Sequence, residues 1–371
     1  MNNCRNTICL LLLWPCAALP AAAAADALQQ CAAIADNATR LKCYDGIAAS
    51  RGDAPAVQQG STSIAPAAPA QTAATQDEGL AQLISLPAAS GPNQRSYLTR
   101  AWNLDGRSDR KNPDRLLPLR PYRQSYLIVR KSSSPNTLPY SPAPGHTATV
   151  PAGLDDLEAK FQFSFKAEVM RYRQFHFLGF QNFRLWGAYT QQSNWQAFNT
   201  RNSSPFRETN YEPELIATFG TGNAEGLKLV NLGLVHQSNG QSLPLSRSWN
   251  RVYLQGGWEW DNSFSLLARA WYRLPENAQQ NDNPDIQNYL GHGDVVLRWE
   301  PDDTQTVSLL LRNNLHTSQN RGFMQLDWST PVKIGKSAKL FAQVTDGYGE
   351  SLIDYNYRQF TYGVGIAFRD W

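Results

Sequence analysis

The sequence is poor in the features that mark several protein classes. After residue 25 no apolar run is long enough to cross a bilayer as a helix, which takes about 20 residues. Net charge is only +3 over 371 residues, too mild an excess to argue for a nucleic-acid partner. Cysteine is scarce. Of five, Cys4, Cys9 and Cys16 fall in the first 25 residues, leaving Cys31 and Cys43 beyond them. No histidine cluster accompanies that pair, which argues against a metal site there. There is no internal repeat.

Aromatic residues, by contrast, reach 11%, with 11 Trp and 15 Tyr, although mean hydropathy is −0.46. A polar average with many aromatics suits a transmembrane β-barrel, whose strands are oily on one face only. It equally suits a soluble all-β protein. The N-terminus reads as a signal peptide over residues 1–25: Arg5 is followed by an apolar core and then by small residues Ala23 to Ala25. Export favours a Cys31–Cys43 disulfide within a short helical segment, 26–49, two unpaired thiols being the alternative. Residues 50–116 read as a low-complexity or poorly ordered linker, rich in Ala, Pro, Gln, Thr and Ser at its start. From about residue 117 to 371 the texture changes. About a dozen alternating segments follow, at 125–131, 158–170, 180–194, 209–220, 226–239, 247–260, 263–274, 286–300, 304–312, 322–330, 338–344 and 360–371. Turn residues separate them, and many reach the roughly ten residues that a tilted membrane strand needs. Trp258, Trp260 and Trp271 read as an interfacial girdle.

One stretch carries chemistry. In a strand, His236 and Ser238 share a face with apolar Leu232 and Leu234, while Asn231, Gly233, Val235 and Gln237 take the other. In the following segment Asn250 shares parity with Val252 and Leu254. If the two strands form a hairpin, Asn250 approaches His236 across the ladder. The set then reads as Ser238 nucleophile, His236 general base and Asn250 orienting amide, triad logic with an amide in place of a carboxylate.

The run His236-Gln-Ser238-Asn-Gly240, then Ser246-Arg-Ser-Trp-Asn250-Arg, resembles the signature of the outer membrane phospholipase A family. Residues 203–213, Asp282-Asn-Pro-Asp285 and 347–356 agree with it, and the resemblance runs from about Leu117 to Trp371. It implies a twelve-stranded antiparallel transmembrane barrel in the bacterial outer membrane, embedded in lipid. It implies calcium-dependent hydrolysis of phospholipid and lysophospholipid acyl esters at either chain, by a homodimer. Carried over by motif, Gly240 lends its amide to the oxyanion hole. Ser246, the Gln241 carbonyl and the partner's Ser203 hold calcium at the dimer interface. Asp282 serves a second calcium site in the monomer, and Gln191 lies at the dimer interface. Two positions depart from the pattern. Gln241 replaces a common arginine, and Leu243 stands where familiar members carry an aspartate. Calcium prefers six to eight oxygens, several of them charged, so the departure at Leu243 predicts a weaker site.

Two other functions compete. A catalytically silent structural barrel or pore of the same family would keep the strands without the activity. A soluble esterase would need a polar exterior, which outward Leu232, Leu234, Val252 and Leu254 oppose. Inward Arg251, Gln255 and Glu259 predict a filled lumen rather than an open pore.

Overall fold

The computed structural model describes residues 30–31, 33–49, 95–106, 119–172, 175–261, 263–301, 304–332 and 338–368. The signal-peptide reading and most of the expected linker lie outside these residues. The chain divides into two units, Met1–Ala73 and Ala74–Trp371.

In the first unit, Asp36 caps helix α1 (Asn37–Ala49). Its carboxylate accepts the backbone N–H of Thr39 at 2.8 Å and the Thr39 hydroxyl at 2.6 Å. Those bonds, the hydroxyl first, draw its pKa below the usual carboxylate value. Cys31 and Cys43 are joined in a disulfide that ties a preceding helical stretch at residues 30–31 to the helix.

In the second unit thirteen strands form one sheet: β1 (Leu119–Pro121), β2 (Tyr126–Ser132), β3 (Leu157–Tyr172), β4 (Asn182–Trp195), β5 (Phe206–Gly220), β6 (Gly226–Ser238), β7 (Ser248–Trp260), β8 (Phe264–Arg273), β9 (Gly293–Trp299), β10 (Thr306–Asn313), β11 (Gly322–Pro331), β12 (Ala338–Tyr348) and β13 (Arg358–Phe368). From β2 onward each pairs antiparallel with the next, and β13 closes on β2. Short β1 pairs with β3 beyond the end of β2, so the two share one stave of a closed barrel of twelve. Closure leaves no sheet edge exposed.

The barrel is apolar outside and polar within. Leu127, Val129, Leu215, Leu232, Leu234, Leu254, Met324 and Val364 are exposed on the wall. Inward positions on the same strands bury Arg130, Glu212, Glu214, Asn231, Arg251, Gln255 and Glu259. Charges pair across the lumen: Arg123 bridges Glu212 at 2.8 Å and Glu214 at 2.7 Å, and Lys160 meets Glu350 at 2.8 Å. A cavity of about 260 Å³ remains, bordered by Arg123, Gln192, Arg251 and Arg269. This arrangement suits acyl chains outside and denies water an open channel inside.

The turns at one end are short, as at residues 221–225 and 261–263. Those at the other are longer, as at 133–156 and 274–292. Three expectations are corrected here. Part of the expected linker is ordered: helix α2 (Tyr97–Trp102) buries Leu98 and Trp102 in the barrel's core cluster. The Leu98 N–H donates to Glu259, and the Lys166 ammonium lies 3.1 Å over the Trp102 ring. A helix this short gets its order from what it packs against. The expected strand 286–300 begins instead as helix α3 (Gln287–Leu290), with Ile286 and Leu290 buried. Gly291 breaks it at φ +65, where a Cβ would meet the Asn313 carbonyl oxygen at 2.4 Å. Trp271, finally, is buried and packs edge-on against Trp249, because it pairs with inward Tyr253. Trp260, Phe264 and Trp299 are exposed at the short-turn end, the last two stacked.

Candidate active site on the outer wall

Strands β6 and β7 form the expected hairpin, with His236 opposite Asn250 and Ser238 opposite Ser248. His236 Nδ1 lies 2.9 Å from Asn250 Oδ1. The ring is exposed on the wall, on the same face as Leu232 and Leu234, each half exposed. Ser238 is half-buried on that face, two residues on. Among the described residues no hydrogen bond joins its hydroxyl to the imidazole. Such contacts often tighten only when substrate binds. On the other flank the ladder to β5 skips the steps opposite His236 and Gln237. Pro213 stands there and has no N–H to donate.

Beyond Ser238 the chain turns through Gly240 at φ +63, a conformation that side chains resist. A Cβ at Gly240 would sit 3.1 Å from the Tyr211 ring. Asn239, unassigned from sequence, staples this turn. Its Oδ1 accepts the Arg247 N–H at 2.9 Å and the Gln241 N–H at 3.3 Å, and its Nδ2 donates to the Leu245 carbonyl at 2.8 Å. Buried Arg247 holds the loop from within, donating to the carbonyls of Pro244, Ser246 and His146. Burial lowers its pKa from the usual guanidinium value.

The four expected calcium ligands lie at the long-loop end. Ser246 Oγ donates to Asp282 Oδ2 at 2.6 Å, so these two stand together. Ser248 Oγ approaches the same oxygen at 3.3 Å, and His146 Nε2 lies 3.0 Å from Asp282 Oδ1. The Gln241 carboxamide turns away to Glu208, donating at 2.8 Å. Ser203 is exposed in the β4–β5 loop at φ +61, and no hydrogen bond links it to the other three. Among the described residues no group of three or more His, Cys, Asp or Glu converges. The donors are hydroxyls, a carbonyl and one carboxylate, an all-oxygen set that fits a hard cation held weakly and completed by water. The Leu243 side chain is 62% exposed and adds no donor. Gln191 lies on the outer face of β4, paired with Phe163 and Tyr211, and its amide touches Tyr189 and Ser193. Sequence reasoning also missed Glu276, whose Oε1 accepts Asn250 Nδ2 at 3.0 Å.

Comparison with known proteins identifies the family. The family model described as Phospholipase A1 matches residues 98–368. A "Putative phospholipase A1" of Neisseria meningitidis is 38% identical and covers 99% of this chain and 97% of its own length. The Phospholipase A1 of Escherichia coli K12 is 36% identical over 69% of this chain and 83% of its own. Among solved structures, the outer membrane phospholipase A of Escherichia coli matches with a TM-score of 0.57 at 36% identity, over 67% of this chain and 94% of that one. The Salmonella typhi outer membrane phospholipase dimer with bound calcium matches with a TM-score of 0.58 at 33% identity, over 73% of this chain and 97% of that one. With its closed, inside-out barrel and its serine–histidine pair on the outer wall, the chain belongs to the phospholipase A1 family, the barrel-borne esterases of the outer membrane.

Proposed function

We propose that this protein hydrolyses acyl esters of phospholipids and lysophospholipids, at either chain position, in a calcium-dependent manner and as a homodimer. The observation that carries this reading is the 2.9 Å contact between His236 and Asn250 on the lipid-facing wall, with Ser238 on the same face. Polar side chains facing acyl chains are costly, so their position calls for a use. There they meet an ester at the membrane surface without the lipid leaving the bilayer.

In the reaction, Ser238 Oγ attacks the acyl carbonyl and its proton passes to His236 Nε2. The imidazolium keeps its Nδ1–H on Asn250 Oδ1. Negative charge develops on the acyl oxygen, toward the Gly240 amide, a donor of a kind worth roughly 3–4 kcal/mol. His236 returns the proton to the leaving alcohol, and water then releases the fatty acid by the same relay. Neutral Asn250 suits the wall better than Asp, because a carboxylate facing acyl chains is expensive to desolvate. Calcium, held in the dimer by Ser246, the Gln241 carbonyl and the partner's Ser203, would supply positive charge to the developing oxyanion, while Asp282 would serve the second, monomer site. Gln191, polar among Phe163 and Tyr211, gives the outer wall a hydrogen-bonding contact for a second copy.

The test is fatty-acid release from a phospholipid by the purified protein in detergent, with calcium and with chelator, beside Ser238→Ala. Calcium-dependent release, abolished by the substitution, is expected. A folded barrel that releases nothing would be a silent member of the family.

A further inference from the structure

The carboxylate beside Asn250 has a geometry of its own. Glu276 lies in the loop after β8. The backbone brings it there: the Leu274 N–H donates to the Asn250 carbonyl at 2.8 Å, one step past the Arg251–Arg273 pair. Glu276 Oε1 accepts Asn250 Nδ2 at 3.0 Å, and its Oε2 takes Arg273 Nη2 at 3.0 Å. Arg273 is itself anchored on Asn281 Oδ1 at 2.6 Å and the Asn283 carbonyl at 3.1 Å. The paired side chains are 13% and 7% exposed, so the contact is largely shielded from water.

The chain of donors and acceptors has one consistent reading. A carboxylate only accepts, so Glu276 can bind Asn250 only through its NH₂. That turns Asn250 Oδ1 toward the ring. Oδ1 also only accepts, so His236 Nδ1 must carry the proton. Nε2 is then the free base that Ser238 needs. The flipped amide would offer Nδ2 to the ring, place the ring proton on Nε2 and leave no base.

We infer that Glu276 is a positioning residue, selecting the amide orientation of Asn250 and through it the tautomer of His236. This rests on the proposed hydrolytic role of Ser238, His236 and Asn250. It also places a carboxylate one residue behind the neutral amide, paired with Arg273.

The test uses the full chain in detergent with calcium and phospholipid. Ser238→Ala, Glu276→Ala, Asn250→Asp and Asn250→Asp/Glu276→Gln are compared at equal amounts of folded barrel, judged by electrophoretic mobility before and after heating. Glu276→Ala should lower kcat roughly tenfold, about the worth of one hydrogen bond, with KM little changed. Asn250→Asp sets two carboxylates face to face and should be impaired. Adding Glu276→Gln supplies an NH₂ donor to the new carboxylate and should restore part of the loss. An anchor for Arg273 alone would give no such rescue. An unchanged kcat in Glu276→Ala, or a double variant no better than Asn250→Asp, overturns the inference while the proposed function stands. A wild-type protein that releases no fatty acid, or Ser238→Ala activity equal to wild type, overturns the proposed function and this inference with it.

Discussion

His236, Ser238 and Asn250 sit where a barrel normally shows leucine; strand parity put them on one face, and their proposed roles came from the motif around them. Two residues apart put His236 and Ser238 on one face, and the hairpin register brought Asn250 to 2.9 Å from the ring. Gly240 is constrained differently. Its φ of +63 and the Tyr211 ring 3.1 Å from a would-be Cβ both oppose a side chain. Gly240→Ala should strain the turn by about 1–2 kcal/mol and displace the amide proposed to face the acyl oxygen. We expect a folded barrel with kcat reduced by about tenfold or more, because an oxyanion donor acts only when correctly aimed. Unchanged kcat in the folded variant would remove Gly240 from the mechanism. Glu276 could not have been read from sequence. It lies 26 residues beyond Asn250, in a loop whose path depends on Leu274 and Arg273 rather than on any periodicity.

At the scale of elements, alternation located the strands well, because a wall with lipid on one side and charge on the other forces a period of two. It failed where order comes from packing alone. Helices α2 and α3 are too short to show a helical period, and each is held by side chains buried in the barrel: Leu98 and Trp102, Ile286 and Leu290. Trp271 was misplaced because its inward parity follows from pairing with Tyr253, not from its own composition. The β12–β13 loop shows what binds such elements at the long-loop end. Burial alone would raise the Glu350 carboxyl, but Arg130 and Lys160 outweigh it and hold the pKa below the usual range. A depressed carboxylate stabilises fully above its ordinary value of 4.5, and that contribution fades as pH falls toward the depressed one. Glu350→Gln leaves Arg130 and Lys160 short of a buried partner, a loss of roughly 3–5 kcal/mol at neutral pH. Thermal unfolding followed by electrophoretic mobility should show a lower midpoint at pH 7 and a smaller drop on acidification than in wild type. Equal acid sensitivity in the two would contradict this assignment.

The second unit is a closed barrel turned inside out, and that arrangement dictates where chemistry can occur. The lumen is crossed by ion pairs and holds α2, so a substrate as large as a phospholipid has no place inside. The outer wall has the substrate already against it, and the hairpin puts the reactive face level with the long loops. Outside and inside were distinguishable in the sequence through Leu232, Leu234 and Leu254 against Arg251, Gln255 and Glu259, which the barrel separates as expected. The convergence of Ser246 with Asp282 was not, because two residues 36 apart in sequence meet through loops that close in space.

The most direct measurement is covalent trapping in a bilayer. The protein would be reconstituted in calcium-containing phospholipid vesicles with a long-chain alkyl fluorophosphonate dissolved in the membrane, and the modified residue mapped by peptide mass spectrometry. A single adduct on Ser238, lost in His236→Ala, is expected. Labelling elsewhere, or labelling of Ser238 only by a short water-soluble probe, would contradict a lipid-facing hydrolytic site.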